Sequence, residues 1–174
     1  MTALRDWVHP IAEIGPAEVN QARAATEEER AELARELDIL SCDSLKANYR
    51  LKSLGGGRYA FTGNLDAGVT QACVVSLDPV PARIREEFSI SLAPPAALED
   101  VPVVAGDREV SSIPDTAPIE DGRIEAGSLI YEVLSAALDP YPRKAGVEFD
   151  WVDPKLKDGD KGPFAALAKL KNET

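Results

Sequence analysis

The feature that most constrains this sequence is a long alternation of apolar and polar residues, interrupted once by three glycines. Between Ser44 and Leu54 every second residue is apolar: Leu45, Ala47, Tyr49 and Leu51. After Gly55-Gly56-Gly57 the alternation resumes with Tyr59, Phe61, Leu65, Ala67 and Val69. A period of two places alternate side chains on opposite faces of a β-strand, and glycine tolerates the backbone torsions of a tight turn. The pattern therefore predicts a β-hairpin with one apolar face.

The second strand of this hairpin is predicted to be long and bent. It is expected to continue through Gln71, Cys73 and Val75, with the Cys73 thiol packed as a small hydrophobe. Gly63 and Gly68 interrupt it, and bends or bulges are expected there.

A third strand is predicted from Arg83 to Leu92, after a turn that contains Pro79 and Pro81. Three consecutive antiparallel strands with one apolar face form a meander, and bends at glycine favour curling toward a barrel. We therefore expect an α+β fold. It combines a bent antiparallel β-sheet or partial β-barrel with two main helices and a short C-terminal helix.

The two main helices are predicted from their capping residues and apolar stripes. Thr26 and Glu29 have the spacing of a capping box, and this helix is expected to end near Asp38. The second helix is predicted from Ser128 through Leu138.

Less regular patterns lead to further expectations at the N-terminal side. The stretch from Trp7 to Ile14 is interpreted as an edge strand, and a loose helical segment is expected from Glu18 to Ala25.

The domain organisation follows from length and from one change in composition. A chain of 174 residues is near the usual size of one domain, and residues 1–150 are predicted to form it. Residues 94–122, rich in proline and acids, are expected to be a mobile acidic loop, closed by a short strand near Arg123–Glu125. Residues 151–174 are expected to be a tail with a short helix after Pro163.

The composition excludes several classes of function. No run of about 20 apolar residues is present, so a membrane-spanning helix is not expected. The N-terminal residues do not resemble a secretory signal, which favours a cytoplasmic protein.

Cys42, Cys73 and the single histidine, His9, do not supply four zinc ligands. No metal, cofactor or catalytic residue is predicted, and the protein is not expected to be an enzyme. The alternative is a hydrolase with paired carboxylates, which requires a pocket where acids converge.

Charge gives the most specific candidate site. The net charge of −11 repels nucleic acid at long range, so an RNA contact requires a local basic patch. From Ser44 to Arg58 the sequence has cations and no acids: Lys46, Arg50, Lys52 and Arg58. Arg83 and Arg85 extend this basic stripe if their strand lies nearby. Two interpretations remain: the stripe binds RNA phosphates, or it is a solvated strand face that resists edge pairing.

Several segments together resemble the YceD family, the large ribosomal RNA subunit accumulation proteins, in its alphaproteobacterial form. The segments are residues 63–67, 71–80, 86–88, 139–143 and 163–171. The family-motif residues among them are Gln71, Cys73, Pro79, Pro140, Pro142 and Arg143. Many relatives have Cys-x-x-Cys at Cys73, whereas Ser76 takes the second position here, which argues against a zinc or redox role for that pair.

The resemblance implies a non-catalytic cytoplasmic ribosome-biogenesis factor that supports the synthesis, processing or accumulation of large-subunit (23S) rRNA. The implied partners are that rRNA, a basic ribosomal protein, or both, with no DNA and no membrane. Two mechanisms are open. In one, the basic stripe contacts rRNA. In the other, an acidic surface shields a basic ribosomal protein without direct RNA contact; its residues include Glu99, Asp100, Asp107, Glu120 and Asp121.

Overall fold

A computed structural model describes residues 3–15, 18–98 and 116–149. The strands are β1 (His9–Pro10), β2 (Val19–Ala24), β3 (Ser41–Gly55), β4 (Arg58–Ala72), β5 (Pro79–Ala93), β6 (Thr116–Pro118) and β7 (Arg123–Ile124). The helices are α1 (Glu27–Glu36), α2 (Pro95–Leu98) and α3 (Ala126–Ala137), with a 3₁₀ helix over Ile11–Glu13. The chain divides into two compact units, Met1–Lys144 and Ala145–Thr174, and all these elements belong to the first.

The main sheet has five strands in the order β2-β3-β4-β5-β6, and a separate two-stranded sheet pairs β1 with β7. The meander β3-β4-β5 is antiparallel as predicted, but β6 joins β5 in parallel, so the sheet is mixed. The α+β prediction is confirmed. The partial barrel is not formed, because β2 and β6 are the two ends of an open sheet.

The central hairpin matches the sequence pattern closely. Gly55 pairs with Arg58 across a two-residue turn, and both turn residues, Gly56 and Gly57, have positive φ angles of 61° and 74°. Positive φ at both positions defines the type I′ turn, whose twist suits a two-residue hairpin. The predicted apolar residues of both strands are buried. The turn chemistry and the alternation together fix the hairpin register.

The irregularities of the hairpin lie on β3 rather than on β4. β4 pairs continuously with β5 through Gly63 and Gly68. The register shifts occur on β3, between Cys42 and Ser44 opposite Gly68 and again near the turn. The bulge expected at Gly68 is therefore on the facing strand, while Gly63 has a different role.

Gly63 allows an aromatic row to cross the inner face of the sheet. The centre of the Phe61 ring is 5.1 Å from that of Tyr49 and 4.9 Å from that of Phe88. A Cβ atom on Gly63 would lie 2.3 Å from the Asn48 carbonyl oxygen and 2.9 Å from the Phe88 ring. Both distances are too short for ordinary contact. The absent side chain thus lets Phe88 pack over the strand backbone.

The end of β4 differs from the prediction. The strand ends at Ala72, and Cys73 and Val75 lie in a turn instead of a continuing strand. Two backbone hydrogen bonds close this turn: Cys73 N donates to Asp78 O at 2.8 Å, and Leu77 N donates to Cys73 O at 2.9 Å. Chain reversal therefore begins before Pro79, where β5 starts.

Two predictions for the N-terminal side were wrong. The segment Glu18–Ala25 is not helical: β2 is an edge strand that pairs with residues 46–51 of β3. Its weak apolar alternation is compensated by hydrogen bonds to a regular neighbour, which the local sequence does not reveal. The strand expected over Trp7–Ile14 is only the two-residue β1, because the 3₁₀ helix follows Pro10 at once.

The helices cover one face of the main sheet. The Thr26 capping box of α1 is confirmed, with Glu29 N donating to Thr26 Oγ1 at 3.2 Å and Thr26 N donating to Glu29 Oε2 at 2.7 Å. α3 begins at Ala126, so Ser128 lies in its first turn rather than at the cap. α1 packs on β3, and α3 packs on β4 and β5. All share one core with the inner face of the sheet.

Some sequence predictions lie outside the described residues. These are most of the acidic loop, including Glu99, Asp100 and Asp107, and the whole tail 151–174 with its terminal helix. Two short elements, α2 and β6, lie within residues 94–122, where only a mobile loop was expected, and β7 follows as the short strand expected near Arg123. No helix within the described ranges is long and apolar enough to cross a bilayer.

Replacing Gly63 by alanine tests the role of the aromatic row. Gly63→Ala should lower the free energy of unfolding by roughly 1–3 kcal/mol, because the new methyl group meets backbone atoms that cannot move freely. Gly15→Ala is the matched control, since nothing lies within 4 Å of its Cβ position. Urea denaturation measures both. Equal stabilities of the two variants would contradict this packing.

The buried pair of His9 and Tyr49 predicts a pH dependence of stability. His9 Nε2 lies 2.9 Å from Tyr49 Oη, and burial, with the nearby Arg23 charge, lowers the pKa of His9. In the unfolded chain the pKa of His9 is about 6.5. Below that pH the unfolded chain binds a proton at His9, whereas the folded chain does not until the pH reaches its lower pKa. Stability should therefore fall as pH falls from about 6.5 toward the lowered folded pKa.

His9→Gln should remove this part of the pH dependence, because glutamine does not titrate. Thermal unfolding of both proteins between pH 7 and pH 5 provides the measurement. If the two unfolding temperatures fall in parallel over this range, His9 does not carry the effect.

Candidate nucleic-acid interface

The outer face of the main sheet is the surface that no helix covers within the described ranges. Alternation along β2, β3, β4 and β5 sends one half of their side chains to the core and the other half to this face. The outward residues are small, polar or charged, and those near the middle include Asn20, Asn48, Thr62, Asn64 and Ser89. The face is therefore a broad hydrophilic platform rather than an unfilled core.

The basic residues predicted on β3 project from this platform. Lys46, Arg50 and Lys52 occupy outward positions, and Tyr49 points inward as expected. At about 3.3 Å per residue, the stripe from Lys46 to Lys52 is roughly 20 Å long. Arg58 stands on the same face at the hairpin end of β4.

The cations of the basic stripe differ in whether they form an ion pair with a carboxylate. Arg50 Nε lies 3.7 Å from Glu18 Oε2. Within the described part of the chain, Lys46, Lys52 and Arg58 form no ion pair. An exposed cation without a carboxylate partner remains available to an anionic ligand, so these three are the strongest candidates for phosphate contacts.

Arg83 and Arg85 lie on the platform but share a carboxylate. They are two strands away from the basic stripe, because β4 lies between β3 and β5. Arg83 forms two hydrogen bonds to Asp66, at 3.1 and 2.8 Å, and Arg85 donates to the same carboxylate at 3.2 Å. The Arg83 hydrogen bonds, with those from Arg85, lower the pKa of Asp66. These arginines are therefore partly neutralised.

A shallow groove of about 680 Å³ crosses the platform at Gly63. Its lining includes Asn20, Asn48, Arg50, Thr62 and Ser89. It also includes the exposed carboxylate of Glu87, which disfavours an anionic ligand at the β5 side of the groove. Asn48 Nδ2 donates to Asn64 Oδ1 at 3.1 Å, which orients two amides beside the basic stripe. Amides and hydroxyls of this kind both donate and accept hydrogen bonds, as the 2′-hydroxyl of RNA requires.

The family-motif residues form a second cluster, at the far end of β4 from the hairpin turn. Gln71 Nε2 donates to Asp139 O at 2.9 Å, and Val74 N donates to Pro142 O at 2.9 Å. The turn after β4 and the segment 139–144 are thus joined, although about seventy residues separate them in sequence. Arg143 is exposed beside this junction.

Cys73 lies at the centre of this junction. Its sulfur accepts hydrogen bonds from the backbone N–H groups of Lys144 at 3.4 Å and of Val75 and Ser76 at 3.5 Å. The hydrogen bond from Lys144 N–H contributes most, followed by the Ser76 side chain and then by the N–H groups of Ser76 and Val75. Together they lower the pKa of the Cys73 thiol to about 6, against the burial of the sulfur. These N–H groups favour the thiolate form of Cys73, which would join the turn to segment 139–144. Cys73 is fully buried, as expected of a small hydrophobe, and its sulfur also accepts these hydrogen bonds.

Among the described residues, the carboxylates show no arrangement that favours hydrolysis. A cavity of about 250 Å³ lies between β6, β7 and α3, with Glu120, Glu125 and Glu132 among its lining residues. All three are exposed, and Glu125 lies 3.8 Å from Arg123. An acid catalyst at neutral pH needs a carboxyl group shielded from water. The hydrolase alternative gains no support from this cavity.

The basic residues of β3 lie on the outward face, as the alternation predicts, but the contacts of Asp66 and Cys73 were not predicted. The shared use of Asp66 by two arginines depends on the β4–β5 register, which pairs Asp66 with Arg85. The junction at Cys73 depends on a contact between distant segments. The co-occurrence of motif residues at 71–79 and 139–143 was the available signal for that contact.

Comparison with known proteins adds no family assignment. The chain matches no protein-family model, no curated protein and no solved structure.

The Cys73 junction predicts a second pH dependence. The thiol pKa is about 6 in the folded chain and about 8.5 in the unfolded chain. The stabilisation should be fully present above about pH 8.5 and should be lost as pH falls toward 6. Cys73→Ser removes the thiolate, so its loss of stability should be larger at pH 8.5 than at pH 5.5.

Cys42→Ser is the matched control for this measurement. Burial raises the pKa of Cys42, so its thiol stays protonated in the folded chain over the tested range. Thermal unfolding under reducing conditions compares the variants. A pH-independent difference between Cys73→Ser and the unmodified protein would contradict a thiolate at the junction.

Proposed function

We propose that this chain is a non-catalytic, cytoplasmic ribosome-biogenesis factor that binds large-subunit (23S) rRNA through the outer face of its main sheet. The observation that carries the proposal is the row of exposed cations on an uncovered polar sheet face. Lys46, Lys52 and Arg58 are its unpaired members within the described ranges. The resemblance of the motif segments to the YceD family supplies the ribosomal context.

The chemistry of the face favours RNA backbone over bases. No aromatic side chain occupies an outward position on the described strands β2 to β5, so bases have no stacking platform there. Cations suit phosphates, and the Asn, Thr and Ser side chains suit ribose hydroxyl groups. We therefore expect the protein to recognise the shape of a structured RNA.

The overall charge limits this binding and makes it selective. A net charge of −11 opposes RNA at long range, whereas the platform attracts it at short range. Three to five phosphate contacts correspond to a salt slope of roughly −3 to −5. Binding should therefore be weak at physiological salt unless the RNA shape fits the platform.

Charge reversal of the stripe tests the proposal. The double variant Lys46→Glu/Lys52→Glu should bind deproteinised large-subunit rRNA roughly fivefold more weakly or worse, with a salt slope smaller by about 1 to 2. Fluorescence anisotropy over a salt series provides both numbers.

Arg5→Glu/Arg35→Glu is the matched control. It changes the net charge equally, at exposed positions away from the platform. If control and test variants weaken binding to the same extent, the effect is one of total charge and the proposed surface is wrong. If neither changes the affinity, the basic stripe does not bind RNA.

A further inference from the structure

A second surface of the molecule is the free edge of β5. β6 pairs only with residues 91–93 of β5, so within the described ranges no strand pairs with the outer edge from Pro79 to Ile90. An unpaired strand edge exposes backbone N–H and C=O groups that can bind another extended chain. Pro79 and Pro81 lack N–H groups, which leaves Ala82 to Ile90, about 30 Å of strand.

A groove of about 340 Å³ lies beside this edge, between β5 and α3. Phe88 and Ile90 of the strand and Val133 and Ala137 of the helix supply apolar lining, and Glu86 and Glu87 supply carboxylates. A strand edge next to a helix-lined groove is the geometry in which an added strand gains both backbone hydrogen bonds and side-chain pockets.

Glu86 determines which kind of chain fits. Its position on β5 faces the core side, between Ile84 and Phe88, and it pairs in register with buried Leu65 of β4. The side chain is exposed and forms no ion pair within the described part of the chain. A carboxylate at an apolar, core-facing position of an edge strand opposes pairing with an apolar or acidic strand.

A second copy of this chain is a poor occupant. In the antiparallel self-pairing that sets Ile84 opposite Phe88, the two Glu86 carboxylates face each other directly. Like charges in that position are destabilising, and two chains of net charge −11 repel one another as well.

We propose that the β5 edge binds an extended segment of a basic partner protein, with a lysine or arginine opposite Glu86 and an apolar residue two positions away on each side. The apolar side chains lie next to Ile84 and Phe88, and the cation neutralises Glu86. The inference goes beyond RNA binding and does not rest on it, because the RNA platform uses outward side chains of the sheet, whereas the added strand pairs with the free edge of β5 and contacts its core-facing side chains.

The test uses the full-length chain and two synthetic peptides. The first is acetyl-Ser-Val-Thr-Lys-Thr-Val-Ser-amide, and the second has glutamate in place of lysine. Titration of the ¹⁵N-labelled protein should shift the amide signals of residues 82–90 and of Val133 with the lysine peptide. Glu86→Lys should weaken lysine-peptide binding roughly five- to tenfold and should improve glutamate-peptide binding.

Glu28→Lys is the matched control, since it changes the net charge equally at an exposed site on α1. Equal loss of lysine-peptide affinity in the two variants would overturn the proposal. It would also be overturned if the unmodified chain failed to bind the lysine peptide, or if the shifted signals lay away from β5. The proposal would likewise be overturned if spectra of the protein alone showed residues 82–90 in contact with residues 99–115 or with a second copy, because the edge would then already be occupied. None of these outcomes bears on rRNA affinity.

Discussion

The aromatic row over Gly63 is the interaction on which the arrangement of this molecule depends. Tyr49, Phe61 and Phe88 contact one another across three strands because Gly63 leaves room for the Phe88 ring. A shift of one residue in either strand pairing would turn these rings to solvent and the cations of β3 to the core. The row therefore fixes the register that gives the sheet one buried face and one basic, hydrophilic face.

One-sided burial explains how an acidic protein can present a basic surface. The helices α1 and α3 pack on the inner face, and the outer face retains alternating cations and short polar groups. Within this face, Asp66 partly neutralises Arg83 and Arg85 and stands directly opposite Lys46, so Lys52 and Arg58 are the cations farthest from a carboxylate on β3 and β4. RNA on the platform would contact outward side chains, whereas a basic protein strand at the β5 edge would contact core-facing Glu86.

The elements that were predicted correctly are those that a short stretch of sequence determines by itself. The hairpin of β3 and β4 follows from strict alternation and a glycine turn, and the start of α1 follows from its capping box. β2 was mistaken for a helix because its pairing with β3, rather than its own composition, makes it a strand. The turn at Cys73 was predicted as strand, although two local backbone hydrogen bonds close it. Its further hydrogen bonds join it to Pro142 and Lys144, far along the chain. Contacts between distant segments are not encoded in any short window of sequence.

Binding of RNA through the outer face is measured most directly by crosslinking protein lysines to RNA in living cells with a bifunctional alkylating reagent, followed by mass spectrometry of the crosslinked peptides. Binding through the outer face predicts large-subunit rRNA as the crosslinked RNA, with attachment sites in residues 46–64 of β3 and β4. Crosslinks confined to lysines outside residues 46–64, or the absence of rRNA crosslinks despite normal expression, would contradict it.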